Sequence, residues 1–226
     1  MGTLIVIEGL DGSGKETQSN LLYEKLLGQS YPVMKISYPR YNHDSSALVK
    51  MYLRGDFGEE PHHISPYVSS TFYAADRYAS YKTEYENFYK KGGIVIADRY
   101  TTSNMVHQGG KIQQEKELAA YLDWLYRLEF EIYQIPVPDK VFYLDVPLDY
   151  IIYRINNRNN KITNQEKKDI HENDLNHLQK SYYNAVKLVD KYHWDKISCM
   201  EQNRMRSIEE INQEIFYKII SMIKGD

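Results

Sequence analysis

Apolar runs rich in branched side chains alternate with helix-period patterns along all 226 residues, and that alternation leaves few architectures open. Strands are expected over Thr3–Glu8, Pro32–Ser37, Gly93–Ala97, Lys140–Val146 and Lys196–Met200. Between them lie helical patterns. Lys15–Leu27 carries Leu21, Leu22 and Leu26, Ser45–Leu53 is short, and Pro66–Lys90 stops at Gly92-Gly93. Further helices are expected between Gln114 and Tyr133, then over Asp149–Arg158, Ile170–Tyr192 and Ile208–Ile223. Pro136 and Pro138 break the pattern before the fourth strand. The order implies an α/β chain with a parallel five-stranded sheet flanked by helices on both faces. In such sheets ligands bind outside the carboxyl ends of the strands.

Composition narrows the class. At 226 residues, with 42% hydrophobic and 26% charged side chains, the chain is long enough for one buried core, and a single domain over 1–226 is expected. A net charge of −3 argues against bulk binding to nucleic acid, so any phosphate site must be local. The single cysteine, Cys199, excludes an intrachain disulfide and a cysteine-based metal framework. No segment approaches the ~18 apolar residues of a membrane span, and the first apolar run reads as a strand rather than a signal peptide. No membrane partner and a cytoplasmic setting are therefore expected. The 22 tyrosines are read mainly as packing residues.

The first strand ends at Gly9, and Gly9-Leu10-Asp11-Gly12-Ser13-Gly14-Lys15 then leads into a helix. Gly9, Gly12 and Gly14 can adopt backbone angles closed to other residues, bringing amide N–H groups close to phosphate oxygens. The helix that follows adds unpaired N–H groups and a positive dipole end, and Lys15 adds a point charge. The fit to G-x-x-x-x-G-K-[ST] fails only at its last position, where Glu16 stands and Thr17 follows one residue late. Gly9 and Asp11 through Thr17 are thus the candidate polyphosphate cradle. Asp98-Arg99-Tyr100 closes the third strand. A carboxylate there can hold a divalent cation, and the adjacent arginine offers a planar grip on phosphate.

Asp98-Arg99-Tyr100-Thr101-Thr102-Ser103, with Gln108-Gly109 downstream, resembles the D-R-Y-x-x-S-x-x-x-x-Q-G signature of thymidylate kinases. Glu8-Gly9-Leu10-Asp11-Gly12-Ser13-Gly14-Lys15 is similar to that family's phosphate loop, and Tyr73-Ala74-Ala75-Asp76-Arg77 to its F-A-A-D-R segment. Leu144-Asp145-Val146-Pro147, before a helix carrying Arg154 and Arg158, is similar to its L-D-V-P strand and lid entry. The resemblance runs through essentially the whole chain. It implies a P-loop NTPase fold of the nucleoside monophosphate kinase type with a mobile lid around 154–168. The implied activity is transfer of the γ-phosphate of ATP to dTMP with Mg²⁺, by a homodimer.

Carried over residue by residue, the resemblance implies that Lys15 and the loop amides bind ATP. Asp11 approaches the acceptor's 3′-hydroxyl and Arg99 holds its phosphate. Arg77, Ser103 and Gln108 read the thymine edge, Tyr73 stacks on the base, and Tyr100 packs near the deoxyribose. Arg40 stands where the family places another phosphate arginine, with Arg54 a weaker substitute. Gly12 occupies a loop position that carries an arginine in some members, so the lid is expected to supply that cation. Arg154, Arg158 and Lys161 are the candidates, Arg158 first. Asp98 is the expected Mg²⁺ ligand, joined by Glu16 or Thr17.

Other motifs fall away. His171-Glu172 lacks a second histidine four residues on, since the next is His177, which excludes a zinc-protease helix. His62-His63 reads as a surface pair. Asn160-Lys161-Ile162-Thr163 lacks the aspartate of a guanine-reading motif. Two alternatives stay open: another nucleotide or deoxynucleoside kinase of the same fold, and a nucleotide-binding regulatory protein without turnover.

Overall fold

The computed structural model describes residues 1–157, 174–202 and 204–224. A five-stranded parallel sheet forms its centre: β1 (Thr3–Glu8), β2 (Val33–Ser37), β3 (Ile94–Asp98), β4 (Lys140–Asp145) and β5 (Asp195–Ser198), in the order β2-β3-β1-β4-β5. The alternation along each strand explains why both faces are covered. In β1, Ile5 and Ile7 enter one core cluster with Ile94, Ile96 and Leu144, while Leu4 and Val6 enter the other with Val95, Ala97 and Val141. The first cluster is closed by α1 (Lys15–Gly28), α5 (Thr101–His107), α6 (Glu115–Tyr126), α7 (Leu148–Asn156), α8 (Leu175–Lys191) and α9 (Ile208–Lys224). The second is rich in tyrosine, with Tyr38, Tyr81, Tyr85, Tyr89 and Tyr100 packed together.

Two further helices flank the β2 side of the sheet's carboxyl edge. Helix α2 (Ala47–Arg54) follows a 3₁₀ turn at Asp44–Ser46. Helix α3 (Pro66–Ser80) starts where the Ser65 hydroxyl accepts from the Tyr67 N–H and Pro66 occupies the first turn. The single helix expected over Pro66–Lys90 is interrupted by a π-helical segment, Tyr81–Tyr85, before α4 (Glu86–Lys90). A second π-helical segment, Arg127–Ile132, ends α6. Such insertions rotate the side chains that follow and recur at functional positions.

Further features depart from the sequence pattern. The seven-residue α5 was not foreseen, because the segment reads as a motif rather than as a periodic helix. The fifth strand stops at Ser198, and Met200–Glu201 pairs instead with Arg204–Met205 in a small antiparallel hairpin. Asp145, at the end of β4, turns toward Lys196 of β5 at 2.9 Å and stays out of the main cleft. Ile170, at the expected start of the α8 pattern, lies outside the described residues. No described helix is long and apolar enough to cross a membrane.

Candidate active site

In the β1–β3 ladder Ile7 stands opposite Asp98, so the loops leaving these two strands begin side by side. Between them opens a cleft of about 640 Å³. The Gly9–Lys15 loop forms one wall. Its glycines take positive φ at Gly9 (152°), Gly12 (83°) and Gly14 (95°), and Gly14 is the N-cap of α1. A Cβ at Gly9 would lie 2.6 Å from Ser13 Oγ and 3.2 Å from the Leu144 carbonyl. The Ser13 hydroxyl is buried without a hydrogen-bond partner among the described residues, as suits a loop shaped around an anion.

Lys15 is almost fully buried and donates to the Leu10 carbonyl at 2.8 Å. Burial and the neighbouring Arg99 push its pKa down to about 8, against the opposing pull of Asp11, Asp98 and Glu8. Asp98 lies at the cleft floor, its carboxylate without a hydrogen-bonded partner among the described residues. Glu16 and Thr17 are exposed on the same cleft. This carboxylate beside the phosphate loop is a donor set of the hard-oxygen type that Mg²⁺ takes.

Arg99 joins the two sides of the cleft. Its φ of 69° is left-handed, unusual for a side chain of this size, and turns the guanidinium inward. Nη2 is ion-paired with Asp11 of the phosphate loop. Nη1 reaches Ser103 Oγ and His107 Nε2, each at 3.3 Å. Burial opposes its charge, but Asp11, Glu8 and Asp98 hold its pKa above the ordinary arginine value. The Ser103 proton is directed to Glu8 Oε2 at 2.8 Å, so this hydroxyl faces Arg99 as an acceptor. Glu8 is wholly buried and also accepts from Thr102 Oγ1 and the Gly9 N–H.

The far end of the cleft is built by α3 and α5. Tyr73 and Arg77, four residues apart on one helical face, both line it. Arg77 is 1% exposed and locked to Glu129 by two bonds of 2.6 Å, with Nη1 the remaining edge, 3.4 Å from the Tyr100 carbonyl. Gln108 is equally buried, its Oε1 accepting from Ser69 Oγ at 2.7 Å. That bond commits the amide oxygen and leaves Nε2 to donate. The Tyr100 ring contributes to the wall while its hydroxyl donates to the Pro136 carbonyl at 2.9 Å.

Arg40 does not join this assembly. It follows the cis peptide Tyr38-Pro39 and turns away, its Nε on Asp76 at 3.1 Å and Nη1 on Glu84, while Tyr41 lines the cleft instead. The adjacent carboxylates explain the diversion. Arg54 is exposed and pairs with Asp56, so it offers no substitute. At the other end of the cleft Arg154 reaches over the Gly9–Lys15 loop, with Nη1 3.1 Å from the Gly12 carbonyl. Arg158, Lys161 and most of the expected lid lie outside the described residues. Glu60, His62 and His63 cluster on an exposed 3₁₀ turn and are not part of the cleft lining.

Among the residues that sequence reasoning missed are Tyr41, Asn104 and His107 in the cleft wall and Glu129 behind Arg77. Glu129 lies 52 residues from Arg77, on a π-helical segment, so no local spacing announces it. His107, by contrast, stands four residues after Ser103, a spacing that puts both on one face of α5.

The thymidylate kinase family model matches residues 7–215. This chain belongs to the thymidylate kinase family. Among individual relatives it is 30% identical to a probable thymidylate kinase of Thermococcus onnurineus, covering 89% of this chain and 98% of the relative. A thymidylate kinase of Rickettsia typhi is 32% identical over 70% of this chain and 71% of its own. Among solved structures, a thymidylate kinase from Candida albicans superposes with a TM-score of 0.72 at 21% identity, covering 99% of this chain and 92% of that one. The fold is that of a P-loop nucleoside monophosphate kinase of the thymidylate kinase type.

Proposed function

We propose that the protein transfers the γ-phosphoryl group of ATP to dTMP, giving dTDP and ADP. The observation that carries this reading is one cleft with a phosphate loop at one end and a stacking, hydrogen-bonding pocket at the other, bridged by Arg99. ATP phosphates would lie along Gly9–Thr17, with Lys15 exchanging the Leu10 carbonyl for β- and γ-oxygens. Arg154 sits over that loop as the described lid cation, with Arg158 and Lys161 assigned to the same end. Arg99 would clamp the acceptor phosphate, while Asp11, its present partner, turns to the 3′-hydroxyl. Tyr73 would stack on thymine, with Arg77 Nη1 and Gln108 Nε2 donating to its carbonyl oxygens. Tyr100 would pack beside the sugar, and Ser103, expected from the sequence at the thymine edge, would instead support Arg99, because its proton goes to Glu8.

In the transfer, an oxygen of the acceptor phosphate attacks the γ-phosphorus and the bond to the β-bridging oxygen breaks. The protein's work is to align these groups and neutralise charge as it spreads over the γ-oxygens. Mg²⁺ would be held by Asp98, with Glu16 as the second candidate, and would supply further neutralisation of the β- and γ-oxygens. A cytoplasmic setting accompanies this reading. A homodimer is part of it too: α3 and α6 leave Tyr67, Val68, Tyr78 and Tyr126 exposed, an apolar face suited to a second copy. Sedimentation at micromolar concentration tests that point.

An ADP-release assay with ATP and Mg²⁺, run on dTMP, dUMP, UMP, dCMP, AMP and thymidine, tests the activity. Strong preference for dTMP is expected. Preference for another acceptor would overturn the base assignment, and silence on all six with ATP still bound would favour the regulatory alternative.

A further inference from the structure

His107 lies in the cleft wall but has no part in the assignments above. It is the last residue of α5, nearly buried, with Nε2 3.3 Å from Arg99 Nη1. A guanidinium only donates, so this contact holds only if Nε2 carries a lone pair. The surroundings ensure that. Burial first, then Arg99, His177 and Lys15, hold the imidazole well below its ordinary pKa, with Asp11 alone pulling the other way. The ring is therefore neutral at physiological pH, with its proton on Nδ1.

The ring's placement is fixed from behind. Asn184 of α8 donates to the carbonyls of Met105 and Val106 at 2.8 and 2.9 Å, pinning the last turn of α5. Gly110 follows so close to α8 that a Cβ there would meet the Ser181 backbone at 3.1 Å. His177 packs behind His107, with ring centroids 6.2 Å apart. Ser103, one turn earlier on the same face, is the other acceptor for Nη1, but its hydroxyl rotates and its proton belongs to Glu8. The imidazole is the directional acceptor of the pair.

We propose that His107 is a positioning residue for Arg99, its neutral Nε2 fixing the plane of the guanidinium so that the remaining donors face the acceptor phosphate. This rests on the assignment of Arg99 as the phosphate clamp. A group acting through Arg99 matters for a phosphorylated ligand and not for its nucleoside.

Titration calorimetry of dTMP and of thymidine against wild type, His107→Phe, His107→Gln and Arg99→Gln tests the proposal. His107→Phe keeps the volume and loses the acceptor, and it should weaken dTMP about tenfold while leaving thymidine within about twofold. His107→Gln retains an acceptor and should recover most of the dTMP affinity. Unchanged dTMP affinity in His107→Phe, equal losses in both His107 variants, or an equal loss for thymidine would each overturn it. Arg99→Gln separates the two layers. Wild-type dTMP affinity in that variant removes the clamp assignment, whereas a loss there without one in His107→Phe removes only the role of His107.

Discussion

At the scale of single residues, the cleft is a set of charges kept in particular protonation states. Burial and then Arg99 push the pKa of Lys15 down to about 8, costing its ammonium more than Asp11, Asp98 and Glu8 return. A bound polyphosphate favours the ammonium, so ATP binding takes up a proton. The apparent affinity for ATP is full below pH 8 and falls as pH rises through it. Equilibrium titration between pH 6.5 and 9.5 checks this, and a flat profile would contradict it. Lys15→Ala and Arg99→Ala should each lower kcat/KM for dTMP by about 10³-fold, the size of comparable electrostatic contributions, as read by steady-state kinetics. The pair Arg77–Glu129 makes a stability prediction. Glu129→Leu leaves Arg77 as an uncompensated buried charge and should cost about 3–5 kcal/mol in urea unfolding. Replacing both residues with leucine should recover much of that stability without restoring dTMP binding.

At the scale of elements, the site depends on how tightly loops and helix ends approach their neighbours. Gly9→Ala would need a positive φ of 152° and would press a Cβ against Ser13 and the Leu144 carbonyl. The expected outcome is ATP affinity reduced at least about tenfold with dTMP affinity preserved, since strain of ~1–3 kcal/mol falls on the phosphate loop alone. Asn184→Ala removes the tether between α8 and the end of α5. It should lower stability by about 1–3 kcal/mol and raise KM for dTMP, because Gln108 and His107 follow that turn. The elements themselves were largely legible. Ile208–Lys224 carries a clear 3.6-residue pattern, Lys15–Gly28 shows one only in Leu22 and Leu26 behind the glycine loop, and the β1 and β3 runs are largely apolar. The π-helical segments were not, because one inserted residue changes the phase of a helix without changing its composition.

At the scale of the whole molecule, a parallel five-stranded sheet with a cleft at the carboxyl ends of its strands followed from the alternation of strands and helices together with the loop motifs, whereas the strand order did not. Ile7 opposite Asp98 is what converts two separate sequence motifs into one cleft. What escaped sequence reasoning depends on distant partners. Arg40 has the right type and place in the chain, but Asp76 and Glu84 claim it, and those lie 36 and 44 residues away. Glu129 reaches Arg77 across the fold in the same way. Each described cation at the loop end of the cleft already holds a protein oxygen: Lys15 that of Leu10, Arg99 that of Asp11, and Arg154 that of Gly12. Substrate entry is therefore an exchange of acceptors, one for one, with few bonds gained in total. A neutral mimic of a phosphate, matched in shape, would win nothing from that exchange. On the proposed function, the cleft would select for anionic charge, and a transferred phosphoryl group would leave behind a product that the same oxygens can displace.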